Sequence, residues 1–227
     1  MNEQPIKIAI LDSVPKFHWR DDNGVTDGQK FVDLLAPENV NAKFDIFYVS
    51  EYEFPDIIES YDGYLLTGSP VSVHDNHDWI KMLSEFVGQA DNKNKPIVGV
   101  CFGHQLIAKY YGGVVGNNEK GWMIGSFPLE IKKKFPWMKN TLDTTDLYHF
   151  NKERVTKLPE GAISFASTKD YPDFAYTLGN NIACLQGHPE QPKRAMYNFL
   201  EVTKKVLTEQ ELEKAKQRIE NGKSDSR

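Results

Sequence analysis

Gly99-Val100-Cys101-Phe102-Gly103 stands between the apolar run Ile97–Val100 and a helical pattern over Gln105–Tyr111, and it constrains the fold more than any other segment. A buried strand that passes straight into a helix must turn sharply, and a nucleophile is presented on such an elbow. The residue at the turn sits in strained backbone geometry. Side chains two residues to either side would collide as strand and helix converge, which explains glycine at both 99 and 103.

The rest of the first half repeats this alternation. Ile8–Leu11 is a short apolar run suited to a buried parallel strand, and a helical pattern near Gln29–Leu35 is stopped by Pro37. Phe44–Val49 and Tyr64–Leu66 read as further strands, the latter ending in Thr67-Gly68-Ser69-Pro70. Trp79, Ile80, Leu83 and Phe86 recur at helical spacing, and Gly112-Gly113 closes the helix after the elbow. Strand and helix in alternation imply a parallel sheet with helices on both faces. From Gly121 to about Phe174 the pattern changes to short strands and turns, consistent with a small antiparallel extension. Ile182–Gln186 reads as a last core strand and Arg194–Val206 as a helix. Thr208 and Glu211 form a capping box that opens a final, charged, solvated helix ending near Asn221-Gly222. A single domain over 1–222 with a disordered tail at 223–227 is expected.

Cys101 at a helix N-terminus meets the positive end of the helix dipole, which favours the anionic nucleophile, and the amide of Phe102 would point toward a developing oxyanion. A buried structural cysteine beside two packing glycines would leave the same pentapeptide. His188-Pro189-Glu190 shifts that balance. It follows the last core strand, and the carboxyl ends of the strands are where open α/β sheets bind ligands. Extended residues two apart face the same way, and Pro189 keeps His188 extended. A thiolate needs an imidazole, and the imidazole needs a carboxylate to orient it. The order Cys, His, Glu argues against the α/β-hydrolase arrangement, in which the acid precedes the histidine.

Together with Leu66-Thr67-Gly68-Ser69-Pro70, the extended elbow Gly99–Gln105 and Gly112-Gly113-Val114-Val115, these residues resemble the class I glutamine amidotransferase family over most of residues 5 to 205. The resemblance implies a flavodoxin-like doubly wound, mostly parallel sheet. It implies hydrolysis of the glutamine side-chain amide through a γ-glutamyl thioester on Cys101, with release of ammonia. In that scheme His188 is general base and then acid, and Glu190 orients it. Backbone amides of Gly68-Ser69 and Phe102 form the oxyanion hole, and Gln105 and His149 help bind substrate. Ser69 replaces a second glycine, which leaves a backbone donor in place. Gly187 stands where an aromatic residue is frequent, which would open the pocket. The segment carries no fused synthetase domain, so the resemblance implies either a synthetase partner in trans or a related γ-glutamyl peptidase acting on small γ-glutamyl peptides. A non-catalytic redox sensor or chaperone would use the elbow cysteine without needing His188 and Glu190.

Other classes find little support. Net charge is −5 and the only basic run of three is Lys132–Lys134, so a nucleic-acid partner is not expected. Two cysteines, Cys101 and Cys184, both in strand-like runs, suggest a reducing, cytoplasmic setting. No signal peptide or membrane span is read. His74, Asp75, His77 and Asp78 have spacing that a metal could use, but Asp75 or Asn76 capping the next helix explains them, and no metal or other cofactor is expected. His104 and Cys184 read as packing residues. Lys120-Gly121-Trp122 reads equally well as a loop at the mouth of the site or as a turn with a buried tryptophan.

Overall fold

The computed structural model describes residues 4–18, 24–38, 41–139 and 142–222; the tail expected at 223–227 lies outside them. Its main sheet is built from β1 (Ile6–Asp12), β2 (Ala42–Tyr48), β3 (Gly63–Leu66), β4 (Ile97–Val100), β6 (Met123–Ile131), β7 (Thr144–Asn151), β9 (Ile163–Thr168), β10 (Tyr171–Leu178) and β11 (Ile182–Leu185). A separate ribbon pairs β5 (Val114–Asn117) with β8 (Glu153–Lys157). The five helices are α1 (Asp27–Leu35), α2 (Asp78–Asn92), α3 (Phe102–Tyr110), α4 (Lys193–Thr203) and α5 (Glu209–Asn221).

Strand order is β2-β1-β3-β4-β11-β10-β9-β6-β7. The first five strands are mutually parallel, in the doubly wound order of flavodoxin-like sheets, and the remaining four continue the same sheet antiparallel. The antiparallel portion is thus larger than the short extension expected from sequence. Its strands are longer than β3, β4 and β11, but their alternating pattern is weak beside the apolar runs of the parallel core.

Both faces of the parallel half are covered, and the alternation of the strands shows how. Ala9, Leu11, Tyr64, Leu66 and Ile97 face α2 and α3, where Trp79, Ile80, Leu83, Phe86 and Leu106 complete one core. Ile10, Leu65 and Val100 point the other way, onto Phe31 of α1. Since these strands run parallel, the residues just past β1, β3, β4 and β11 gather along one edge of the sheet. That edge carries Cys101 and His188.

α4 and α5 cover the antiparallel half. Met196, Leu200, Ala215 and Ile219 are buried against Ile124 and Tyr148. The last helix is therefore a structural cover and not only a solvated surface element, because Ala215 and Ile219 recur at helical spacing among its charges. At Gly125, which has φ +107°, an added Cβ would lie 2.5 Å from Arg218 Cβ, so glycine there permits the close approach of α5. The capping box is present: the Thr208 hydroxyl accepts from the Glu211 amide at 3.3 Å, and Glu211 Oε2 accepts from the Thr208 amide at 2.9 Å.

Among the described residues, no helix is long and apolar enough to cross a membrane. Thr208→Ala is expected to lower stability by about 1 kcal/mol through loss of the cap. Urea unfolding measures this, and faster amide exchange along α5 should accompany it.

Candidate active site

Cys101 joins β4 to α3 with φ 50° and ψ −99°, a conformation that costs a non-glycine residue about 1–3 kcal/mol. Its backbone is held on both sides: its N–H donates to Leu185 O at 2.9 Å and its carbonyl accepts from Gln105 N at 3.0 Å. The flanking glycines have separate reasons. A Cβ on Gly99 would lie 2.8 Å from the Gly103 carbonyl carbon and 2.7 Å from Ile107 Cδ1. A Cβ on Gly103 would lie 2.7 Å from Leu66 Cβ. The elbow is thus packed against itself and against the end of β3, and the Gly103 amide ties it there by donating to Thr67 O at 3.2 Å.

Gly68 lies between β3 and the two candidate side chains. A Cβ there would come within 2.8 Å of His188 Cε1 and 3.5 Å of Cys101 Cβ. Its absence leaves room for the imidazole beside the thiol. The Ser69 hydroxyl is turned away, donating to Ser13 O at 2.8 Å, so that residue can offer the site only its backbone. Phe102 opens α3, and its N–H has no carbonyl one turn earlier to reach.

His188 arrives from β11. Its backbone amide donates to Tyr148 O at 2.8 Å, which pins it to β7. Its ring Nδ1 lies 2.7 Å from Glu190 Oε1, with the two side chains 7% and 0% exposed. That contact leaves Nε2 for Cys101. Burial disfavours a charged imidazole, yet Glu190 and the hydrogen-bonded Cys101 outweigh it and hold the His188 pKa well above its ordinary value. Glu190 Oε2 is buried without a partner among the described residues.

The residues expected to bind substrate are placed differently. Both hydrogens of the Gln105 amide are committed, to Glu153 O and Gln186 Oε1 at 3.0 Å each, so only its Oε1 remains for a ligand. His149 is fully buried, its ring 4.9 Å from Phe127 and 4.5 Å from Phe174, and burial pushes its pKa down to about 3. It packs behind His188 and offers no face to a substrate, which corrects the role expected for it. What the stretch Tyr148-His149-Phe150 gives His188 is the backbone carbonyl of Tyr148. Gly187 does not open the pocket either, because a Cβ there would lie 2.6 Å from Phe174 Cζ and the Phe174 ring fills the space.

Other expectations resolve in packing. His104 is fully buried against Tyr176 at 5.0 Å, and desolvation takes its pKa to about 3. Cys184 is buried in β11, with a thiol pushed up to about 12 by burial, and both cysteines are free. Neither Asp75 nor Asn76 caps α2, whose N-cap is His77 without a side-chain bond. Asp75 instead accepts from the Ser72 amide at 3.1 Å, and the His74 ring meets Val115 O at 3.1 Å. Among the described residues, no group of three His, Cys, Asp or Glu is arranged to hold a metal ion.

Sequence reasoning missed a polar hub beside the elbow. Gln186 Oε1 accepts from Gln105 and, at 3.2 Å, from the Tyr171 hydroxyl, and that hydroxyl accepts from the Val155 amide at 3.1 Å. Asp12, at the end of β1, was missed as well. It is fully buried and accepts from the amides of Gly28 and Val14, and burial raises its pKa to about 6. Asp12 closes an apolar run and Gln186 precedes a glycine, and neither position carries a motif.

A sequence profile for the family described as "Glutamine amidotransferase class-I" matches residues 29–202. Gamma-glutamyl peptidase 3 of Arabidopsis thaliana is 31% identical over 205 residues, spanning 86% of this chain and 82% of that protein. A glutamine-hydrolysing GMP synthase of Wolbachia pipientis is 28% identical over 209 residues, 83% of this chain but 40% of that protein. The crystal structure of a glutamine amidotransferase from Thermotoga maritima superposes with TM-score 0.74 at 20% identity, covering 96% of this chain and 93% of that one.

A histidine whose folded pKa is raised stabilises the fold fully below its unfolded pKa, and this contribution fades as pH climbs through the folded value. Glu190→Gln removes the raising carboxylate. The wild-type advantage over this variant should be full near about pH 6 and shrink above it. Urea unfolding of both proteins between about pH 6 and about pH 10 checks the sign; an advantage that grows with pH would contradict it.

Proposed function

This chain belongs to the class I glutamine amidotransferase family, and from that premise we propose that it hydrolyses γ-glutamyl amide bonds with Cys101 as nucleophile. The observation that carries the reading is a strained elbow cysteine beside a buried histidine, both against Gly68, with the histidine 2.7 Å from a buried glutamate.

The Cys101 thiolate attacks the γ-carbonyl carbon, and the amides of Phe102 and Ser69 or Gly68 receive the oxyanion. The carbon–nitrogen bond breaks as the His188 imidazolium gives its proton to the departing nitrogen. A γ-glutamyl thioester remains on Cys101. Water then attacks the thioester while His188 takes its proton, the carbon–sulfur bond breaks, and glutamate leaves with the thiolate restored. Glu190 holds the imidazole by Nδ1 throughout, so that Nε2 stays on the reacting side. Gln105 Oε1 is the acceptor that remains for the ammonium end of the glutamyl group.

Glutamine and small γ-glutamyl peptides present the same carbonyl and differ only in the leaving nitrogen. The peptide reading is favoured here because the plant γ-glutamyl peptidase matches over most of its own length. The GMP synthase matches over 40% of its length, so by this likeness glutamine hydrolysis would serve a synthetase partner acting in trans.

Incubation with γ-glutamyl dipeptides, glutathione and glutamine, with released glutamate and ammonia measured, separates the readings. Peptide turnover well above glutamine turnover is expected, falling by about 10³-fold or more in Cys101→Ala. Turnover of glutamine alone would favour the partnered amidotransferase. Turnover that survives Cys101→Ala would end the nucleophile assignment.

A further inference from the structure

A cavity opens beneath α5, with a volume of about 210 Å³. Its lining includes none of Cys101, Gln105, His188 or Glu190. One wall is apolar, with Trp122, Met123, Phe127 and Ala215 among its residues, and the Trp122 ring lies 5.4 Å from the Phe150 ring at a tilt of 33°. The rest of the lining is charged or polar.

Three cations line this cavity, Lys120, Lys214 and Arg218, against two acids, Asp170 and Glu211. Most of these charges are committed. Lys120 is paired with Asp170. Glu211 is held in the capping box and faces Lys214 and Lys152. Arg218 is different: its guanidinium lies 4.5 Å over the Phe127 ring, where burial makes its charge less favourable and Asp170 offsets this only in part. Arg218 forms no ion pair with a carboxylate among the described residues. Beside it in the lining is Asn118, 6% exposed, whose Nδ2 is buried without a hydrogen-bond partner. A buried donor left unpaired costs about 1–3 kcal/mol, and an acceptor entering the cavity would relieve that cost.

We propose that this cavity is a binding site for a small organic anion, a carboxylate carried on a flat apolar body. The carboxylate would meet Arg218 and Lys214, the body would lie along Trp122 and Leu207, and Asn118 Nδ2–H would donate to one of its acceptors. The site is separate from the nucleophile yet close to its supports. The Asn118 backbone N–H donates to Lys152 O at 2.8 Å, and Phe127, which carries Arg218, also meets the His149 ring behind His188.

Benzoate is the probe and benzamide its uncharged control, with binding read by the change in Trp122 fluorescence and by calorimetry. Saturable benzoate binding, absent with benzamide, is expected. Loss of a charge-assisted hydrogen bond should weaken it about tenfold or more in Arg218→Gln, with a further loss in Lys214→Glu. Lys214 is exposed, so its variant tests the site even where Arg218→Gln disturbs α5. Trp122→Phe should abolish the fluorescence change and leave the calorimetric signal, and prior alkylation of Cys101 should leave both. Absence of saturable binding, equal binding of benzamide, indifference to both charge variants, or loss of binding on alkylating Cys101 would each overturn the proposal.

Discussion

The approach of β4 and α3 to the end of β3 is the contact on which the rest of the site depends. With Gly99, Gly103 and Leu66 this close, the chain has no slack at Cys101, and the left-handed backbone there is imposed by its surroundings. The bonds to Leu185 and Thr67 draw β11 and the Gly68 turn to the same point. Three strands and one helix are thus fixed around a single residue, and Gly68 leaves the one opening that an imidazole can fill. The strain at the elbow is small beside the burial of the two cores that flank the parallel sheet, which is why the fold can sustain it.

Electrostatics at this point follow from burial. Removing an imidazole from water would ordinarily keep it neutral, but a carboxylate at 2.7 Å and a thiol on the other side reverse the outcome. His149 and His104, equally buried but without an acidic neighbour, show the ordinary outcome, with pKa values of about 3. Three buried histidines in one chain therefore divide by their neighbours and not by depth. Of the three, His188 alone has a carboxylate on its Nδ1 and lies beside Cys101.

Much of this was legible in the sequence, and what was not has physical causes. The parallel strands announced themselves because both faces are buried and their residues are uninterrupted apolar runs. The elbow and His188-Pro189-Glu190 were legible because their geometry demands particular residue types at fixed spacing. The capping box at Thr208 was legible for the same reason. The antiparallel strands were underestimated, since successive residues such as Met123–Phe127 of β6 and Phe174–Thr177 of β10 are all buried and leave no alternation to read. His149 was misplaced because a resemblance gives position along a strand but not which neighbours fill the space around a side chain, and Phe127 and Phe174 do. Gln186, Tyr171 and Asp12 take partners distant in the chain, from 15 residues for Gln186 with Tyr171 and 16 for Asp12 with Gly28 to 81 for Gln186 with Gln105, and no local pattern encodes that.

The central claim is that Cys101 reacts because His188 stands beside it. The rate of labelling by a chloroketone analogue of glutamine, with the modified peptide located by mass spectrometry, tests this most directly. The account expects labelling confined to Cys101, slowed by about tenfold or more in His188→Ala, with Cys184 untouched. Labelling at Cys184, or a Cys101 rate indifferent to the loss of His188, would contradict it.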